Sequence, residues 1–89
     1  MKLIYKYELN FSYSYIAIPK GATIVKAGIQ NDTIYIWCMF DESNNSIQEG
    51  RTFRIFGTGE QIPEHLTYID TVFERRYVWH IFEEVATQT

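Results

Sequence analysis

Eighty-nine residues with a formal net charge of −3 make one small domain, and a chain of this size hides only about 60 to 65% of its extended surface on folding. Aromatic side chains are 17% of the residues, and each buried ring removes about 150–250 Å² from water, so a dense core needs no disulfide. The acidic balance removes the positive field on which non-specific nucleic-acid affinity rests, so duplex DNA or RNA is not an expected partner. No apolar run approaches 18 residues and no signal-peptide pattern opens the chain, so neither membrane spanning nor export is expected.

Lys2 to Glu8 alternates Leu3, Tyr5 and Tyr7 with Lys2, Lys6 and Glu8, and this period of two predicts a half-buried first strand with Ile4 on its polar side. Tyr13 to Ile18 is aromatic and β-branched, and Pro19-Lys20-Gly21 ends it with turn chemistry. Ala22 to Gln30 forms the third strand, with Gly28 as the expected bulge. Asn31-Asp32 then supplies the two residues of a tight antiparallel hairpin. The fourth strand, Thr33 to Phe40, is apolar or aromatic at nearly every position, so it is expected at the centre with both faces covered. Cys38 stands alone in this run, which reads as a buried thiol in a reducing compartment.

Asp41 to Gly50 is polar and aperiodic, the pattern of an exposed loop. Arg51 to Phe56 is the fifth strand, followed by an irregular segment from Gly57 to His65 with room for one helical turn after Pro63. Leu66 to Phe73 and Tyr77 to Phe82 form a last hairpin across Glu74-Arg75-Arg76, and the tail from Glu84 is expected to fray. The chain is therefore all-β, a single domain over residues 1–89, with about seven antiparallel strands in a small sandwich or partly open barrel. The closely spaced strands favour hairpin-connected meanders over crossovers.

The loop Gly57-Thr58-Gly59 is the first candidate site. Adjacent glycines free backbone amides to point at a phosphate or carboxylate, and Arg54 on the preceding strand supplies charge. The spacing is neither that of a P-loop nor that of a dinucleotide fold, and a turn that needs positive φ explains the glycines equally. Arg51 and Arg54 stand three apart, so a regular strand turns them to opposite faces, and only one can share a surface with the loop. Trp79 and His80 fall on opposite faces of the last strand. His80 sits between Val78 and Phe82, where a satisfied core or interface histidine is the ordinary reading. Cys38, His65 and His80 lack zinc-motif spacing, and no nucleophile has a local signature beside a base, so neither a metal, a cofactor nor catalysis is expected.

The tyrosines exceed what so small an interior needs if each phenol keeps a polar partner, so Tyr5, Tyr7, Tyr13, Tyr15, Tyr35, Tyr68 and Tyr77, with Trp37 and Trp79, should in part reach the surface. Tyrosine, tryptophan and arginine are the side chains of interface hot spots, and aromatic rings also stack on bases.

Ile4-Tyr5-Lys6-Tyr7, Pro19-Lys20-Gly21-Ala22, Phe56-Gly57-Thr58-Gly59 and Val78-Trp79-His80-Ile81-Phe82 together give the chain its pattern. It resembles a family of small bacteriophage and prophage proteins, over nearly its whole length. The resemblance implies a phage-encoded accessory protein in the bacterial host cytoplasm and assigns no activity. The expected function is a non-catalytic binding module that acts on a host or phage protein, for example an inhibitor of host defence. Two alternatives stand beside it. One is a small-molecule binder or sponge for a nucleotide signal, with Arg54, Gly57, Thr58 and Gly59 at phosphate and Trp79 stacked on the base; the other is a small phage structural or assembly protein. Exposed sheet edges further suggest a homo-oligomer.

Overall fold

The computed structural model describes residues 1–84. The alternation read from the sequence becomes seven strands: β1 (Lys2–Glu8), β2 (Tyr13–Pro19), β3 (Thr23–Gln30), β4 (Thr33–Asp41), β5 (Gln48–Gly57), β6 (Leu66–Glu74) and β7 (Tyr77–Glu84). They form two antiparallel sheets, one ordered β1-β4-β3 and the other β2-β5-β7-β6, and the sheets stack as a sandwich that does not close into a barrel. The Cα envelope measures 40 × 37 × 16 Å, a thickness that fits two sheets about 10 Å apart. No helix among the described residues is long and apolar enough to cross a membrane.

β4 shows how the pattern makes the core. Ile34, Ile36, Cys38 and Phe40 are buried in strict alternation and meet Phe53, Ile55, Ile81, Val72 and Ile18 of the other sheet. Central placement in its sheet is as expected, but only one face of β4 is covered by another layer. Tyr35, Trp37 and Met39 line the other face half-buried, sheltered by neighbours in their own sheet. Lys6 sits 4.4 Å from the Tyr35 ring centroid, and a methyl group at Gly28 would come within 3.4 Å of the Trp37 ring. A side chain at Gly28 would thus be in contact with the indole. The bulge of β3 lies between Ile24 and Lys26, not at Gly28.

β6 carries a matching irregularity between Tyr68 and Asp70. The two bulged strands are the edges where the sheets meet, and a bulge re-aims the side chains around it. Asp70 accepts from the Ala27 amide at 3.0 Å and pairs with the Lys26 ammonium at 3.1 Å, a clamp between β3 and β6. Burial alone would raise the Asp70 carboxyl, but the amides of Ala27 and Thr71 and the Lys26 charge outweigh it and hold it below its ordinary value.

Both expected hairpins form. Asn31 (φ 51°) and Asp32 (φ 63°) take the left-handed conformation that a two-residue turn between twisted strands requires, and Arg75 (φ 52°) turns β6 into β7. The remaining connections differ from the simple meander. The chain changes sheets after β1, β2 and β4. β5 and β6 flank β7 and run parallel to each other, so residues 58–65 make a crossover without a helix. The inner face of the sheet is filled by its partner, which leaves this connection the outer face to cross. A hydrogen-bonded turn follows Pro63, and the one short helical turn is instead a 3₁₀ segment at Glu42–Asn44, capped by the Asp41 carboxylate on the Ser43 amide. β5 begins three residues before the predicted start, because Gln48, Glu49 and Gly50 pair with Pro19, Ile18 and Ala17. β7 likewise runs on through Glu84, and the rest of the predicted frayed tail lies outside the described residues.

Candidate functional site

The outer face of the four-stranded sheet gathers most of the residues singled out from the sequence. Strand register places Tyr13 opposite Arg54, Arg54 opposite Phe82 and Phe82 opposite Tyr68, a row that spans β2, β5, β7 and β6. Its rings touch edge to face, with Phe82 5.6 Å from Phe56 and 5.5 Å from Tyr68. The Arg54 guanidinium lies 5.1 Å from the Phe56 ring centroid and 3.7 Å from the Glu84 carboxylate. Phe56 points outward yet is only 6% exposed, whereas Tyr13 and Tyr68 are each 55% exposed, Tyr15 68% and Phe73 75%. The face is thus a floor of packed rings with tyrosines, Phe73 and one arginine standing at its surface.

His80 lies on this face, where both its ring nitrogens are taken. Nε2 is 2.9 Å from the Thr58 hydroxyl, Nδ1 is 3.0 Å from that of Thr71, and Thr71 continues to the Tyr68 phenol at 2.6 Å. Each hydroxyl can donate or accept, so the imidazole is a satisfied link in a chain of hydroxyls. Among the described residues no carboxylate orients it, and a metal or a substrate proton would have to displace a threonine. Thr58, at the start of the crossover, is held to the sheet by this bond.

The glycine loop is built differently from a phosphate cradle. The Glu60 carboxylate accepts from the Gly57 amide at 2.8 Å, while the Glu60 amide donates to the Gly57 carbonyl at 3.2 Å, closing a turn in which Gly59 has φ 95°. Positive φ explains Gly59. At Gly57 a methyl group would touch the Trp79 ring at 3.5 Å and crowd Glu60 Oε1 at 3.1 Å, so the carboxylate would have to give by a few tenths of an ångström. An anion brought to the Gly57 amide would meet a carboxylate already in place.

Trp79 takes the opposite face from Arg54 and His80. Its indole N–H donates to Glu74 Oε1 at 3.4 Å, and its ring meets Phe11 edge-on at 4.8 Å and stacks on Tyr77 at 5.8 Å. Together with Gly57, Glu60 and Arg76 it lines an open depression of about 520 Å³ at one end of the sandwich. Of the six candidates, Arg54, Thr58 and His80 share the outer face, Gly57 and Trp79 share the end, and Gly59 shapes the turn between them. The nucleotide arrangement, with Arg54 at phosphate and Trp79 on the base, is therefore not assembled.

A family model matches residues 1–89. The chain belongs to the family described as Domain of unknown function (DUF7352). No curated protein and no solved structure matches it. The match spans both sheets, so the aromatic row and the Asp70 clamp both lie within the DUF7352 domain.

Inside this DUF7352 sandwich, Arg51 and Glu83 form the pair that the sequence reading missed. Arg51 Nε and Nη2 bind the two carboxylate oxygens of Glu83 at 2.5 and 2.7 Å, and Nη1 donates to the Ala22 carbonyl at 2.6 Å. The Glu83 carboxylate holds the guanidinium charged more firmly than usual. Nearby, burial pushes the Cys38 thiol up to about 11, partly opposed by the Arg51 charge, which makes it a poor nucleophile. Among the described residues no three His, Cys, Asp or Glu side chains are grouped to hold a metal ion. Phe11 and Phe73, also absent from the sequence candidates, are exposed, Phe11 against Trp79 and Phe73 opposite Val78; Phe73 sits at an outward position by simple alternation, a signal the sequence does contain.

Proposed function

We propose that this DUF7352 chain is a non-catalytic protein-binding module, a phage-encoded accessory protein of the bacterial cytoplasm that docks through the outer face of its four-stranded sheet. The row Tyr13–Arg54–Phe82–Tyr68 carries the reading. It joins accessible phenols and one guanidinium on a rigid floor, and tyrosine and arginine so placed contribute contact area and directed hydrogen bonds at low ordering cost. The row is a strip across four strands, which suits a protein surface better than a small molecule, which needs concave walls on several sides.

The test is affinity capture from bacterial lysate with the wild type, with Tyr13→Ser/Arg54→Ala/Tyr68→Ser, and with Ile4→Ser on the other sheet as control. A stoichiometric partner is expected with the wild type and the control, and its loss with the triple variant, which should retain the β-sheet circular dichroism of the wild type. Retention of that partner by the folded triple variant would place docking elsewhere and overturn the reading.

A further inference from the structure

A two-sheet sandwich has four lateral edges, and here two of them face each other. β3 and β6 are joined by the Asp70 clamp. β1 and β2 remain, and their hydrogen-bond phase tells which backbone groups they present. The Met1 carbonyl accepts from Glu42 and the Leu9 amide donates to Ile34, so odd residues of β1 bond to β4 and the even ones face outward. Those are Lys2, Ile4, Lys6 and Glu8, and charged side chains at an edge keep it solvated and discourage pairing.

β2 is the opposite case. The Ser12 carbonyl accepts from Ile55 at 3.4 Å and the Lys20 amide donates to Ile47 at 2.8 Å, so even residues of β2 bond to β5. Tyr13, Tyr15 and Ala17 therefore turn their amides and carbonyls out of the sheet, and among the described residues nothing takes these six groups. The strand carries no charge, and its register runs from Tyr13 to Pro19 without a bulge. Tyr15 in fact leans inward: a methyl group at Gly50 of β5 would collide with its phenol ring, so the ring lies across Gly50 and leaves the edge clear.

We propose that β2 pairs antiparallel with β2 of a second copy of this chain, about a two-fold axis at Tyr15. This register sets Tyr15 opposite its counterpart and Tyr13 opposite Ala17 twice. All six outward groups then find partners, and no charges are brought together. The product is one continuous sheet of eight strands, with the tyrosines of both copies on a single outer face. Its formation requires no other protein, so it stands or falls separately from the docking reading.

Sedimentation equilibrium at high micromolar concentration should give twice the chain mass for the wild type. Ala17→Pro should give the chain mass with sheet content retained, because the Ala17 amide makes no bond to β5 and proline is tolerated on that side of an edge strand. Tyr15→Cys should oxidise to a symmetric disulfide dimer, since directly opposed residues of this kind lie about 5.5 Å apart at Cα, within disulfide reach; buried Cys38 does not compete. Ile4→Cys, on the β1 edge, should not cross-link. A monomeric wild type overturns the proposal, as does a dimer that Ile4→Cys traps and Tyr15→Cys does not. Should Ala17→Pro fail to fold, the two cysteine variants still decide.

Discussion

Arg51 and Arg54 show how three positions in one strand give arginines two different fates. Arg54 stays at the surface against Glu84, where screening makes the pair worth little. Arg51 enters the space between the sheets, and it and Glu83 each keep 18% side-chain exposure. Replacing Arg51 by Met leaves a carboxylate in that space and the Ala22 carbonyl without its donor, so urea unfolding should show a loss of about 3–5 kcal/mol. Arg51→Met/Glu83→Leu should recover most of it, because an apolar pair of similar volume carries no unpaired charge. Additive losses in this cycle would show that the two side chains act independently. The opposed faces of the two arginines, and of Trp79 and His80, were legible from period-two spacing alone. What joins Arg54 to His80 was not: it depends on β5 pairing with β7, and no local pattern states which strands are neighbours. Glu83 was hidden for the same reason, since its partner lies 32 positions away.

Individual strands were legible where one face is polar and turn residues bound them, as for β1, whose limits match the alternation, and for the Asn31-Asp32 hairpin. Bulges were not. They answer to the geometry of the seam between β3 and β6, and Gly28 does not mark the one in β3, which lies between Ile24 and Lys26. The start of β5 was missed because Gln48 to Gly50 are polar and extended only through pairing with β2. The seam itself gives a pH prediction. The Asp70 carboxyl lies below its ordinary value in the folded protein, so the folded state binds its proton less readily than the unfolded chain. Its contribution is complete above the unfolded value of about 4 and is lost as pH falls through the lower folded value. Urea midpoints measured between about pH 5 and pH 2 should therefore fall for the wild type and fall less steeply for Asp70→Asn. At neutral pH the same variant should cost about 1–2 kcal/mol, for a weakened bond to the Ala27 amide and a lost partner for Lys26. Parallel pH profiles would mean that the clamp does not carry the acid sensitivity; Asp41, held low by the Ser43 amide and hydroxyl, would then be the next group to test.

At the scale of the molecule, the path of the chain sets the order in which these contacts can form. Only β3–β4 and β6–β7 are local hairpins; β1 waits for β4, with Lys2 opposite Asp41, and β2 waits for β5, with Tyr13 opposite Arg54. Long loops must close before such pairs are rewarded, so refolding should take milliseconds to seconds, in the range of all-β domains. The β3–β4 hairpin closes through two residues and contains the central strand on which β1 docks, which makes it the natural nucleus. Asp32→Gly relieves positive φ at an aspartate and should stabilise the protein by about 0.5–1 kcal/mol. If the hairpin is formed in the transition state, stopped-flow kinetics should show this gain almost entirely as faster folding. Leu3→Ala, which strips a half-buried contact from β1, should instead act mainly by speeding unfolding, because β1 joins after the barrier. The reverse assignment, with Leu3→Ala slowing folding and Asp32→Gly slowing only unfolding, would show that the long-range β1–β4 pairing comes first and that the local turn merely follows it.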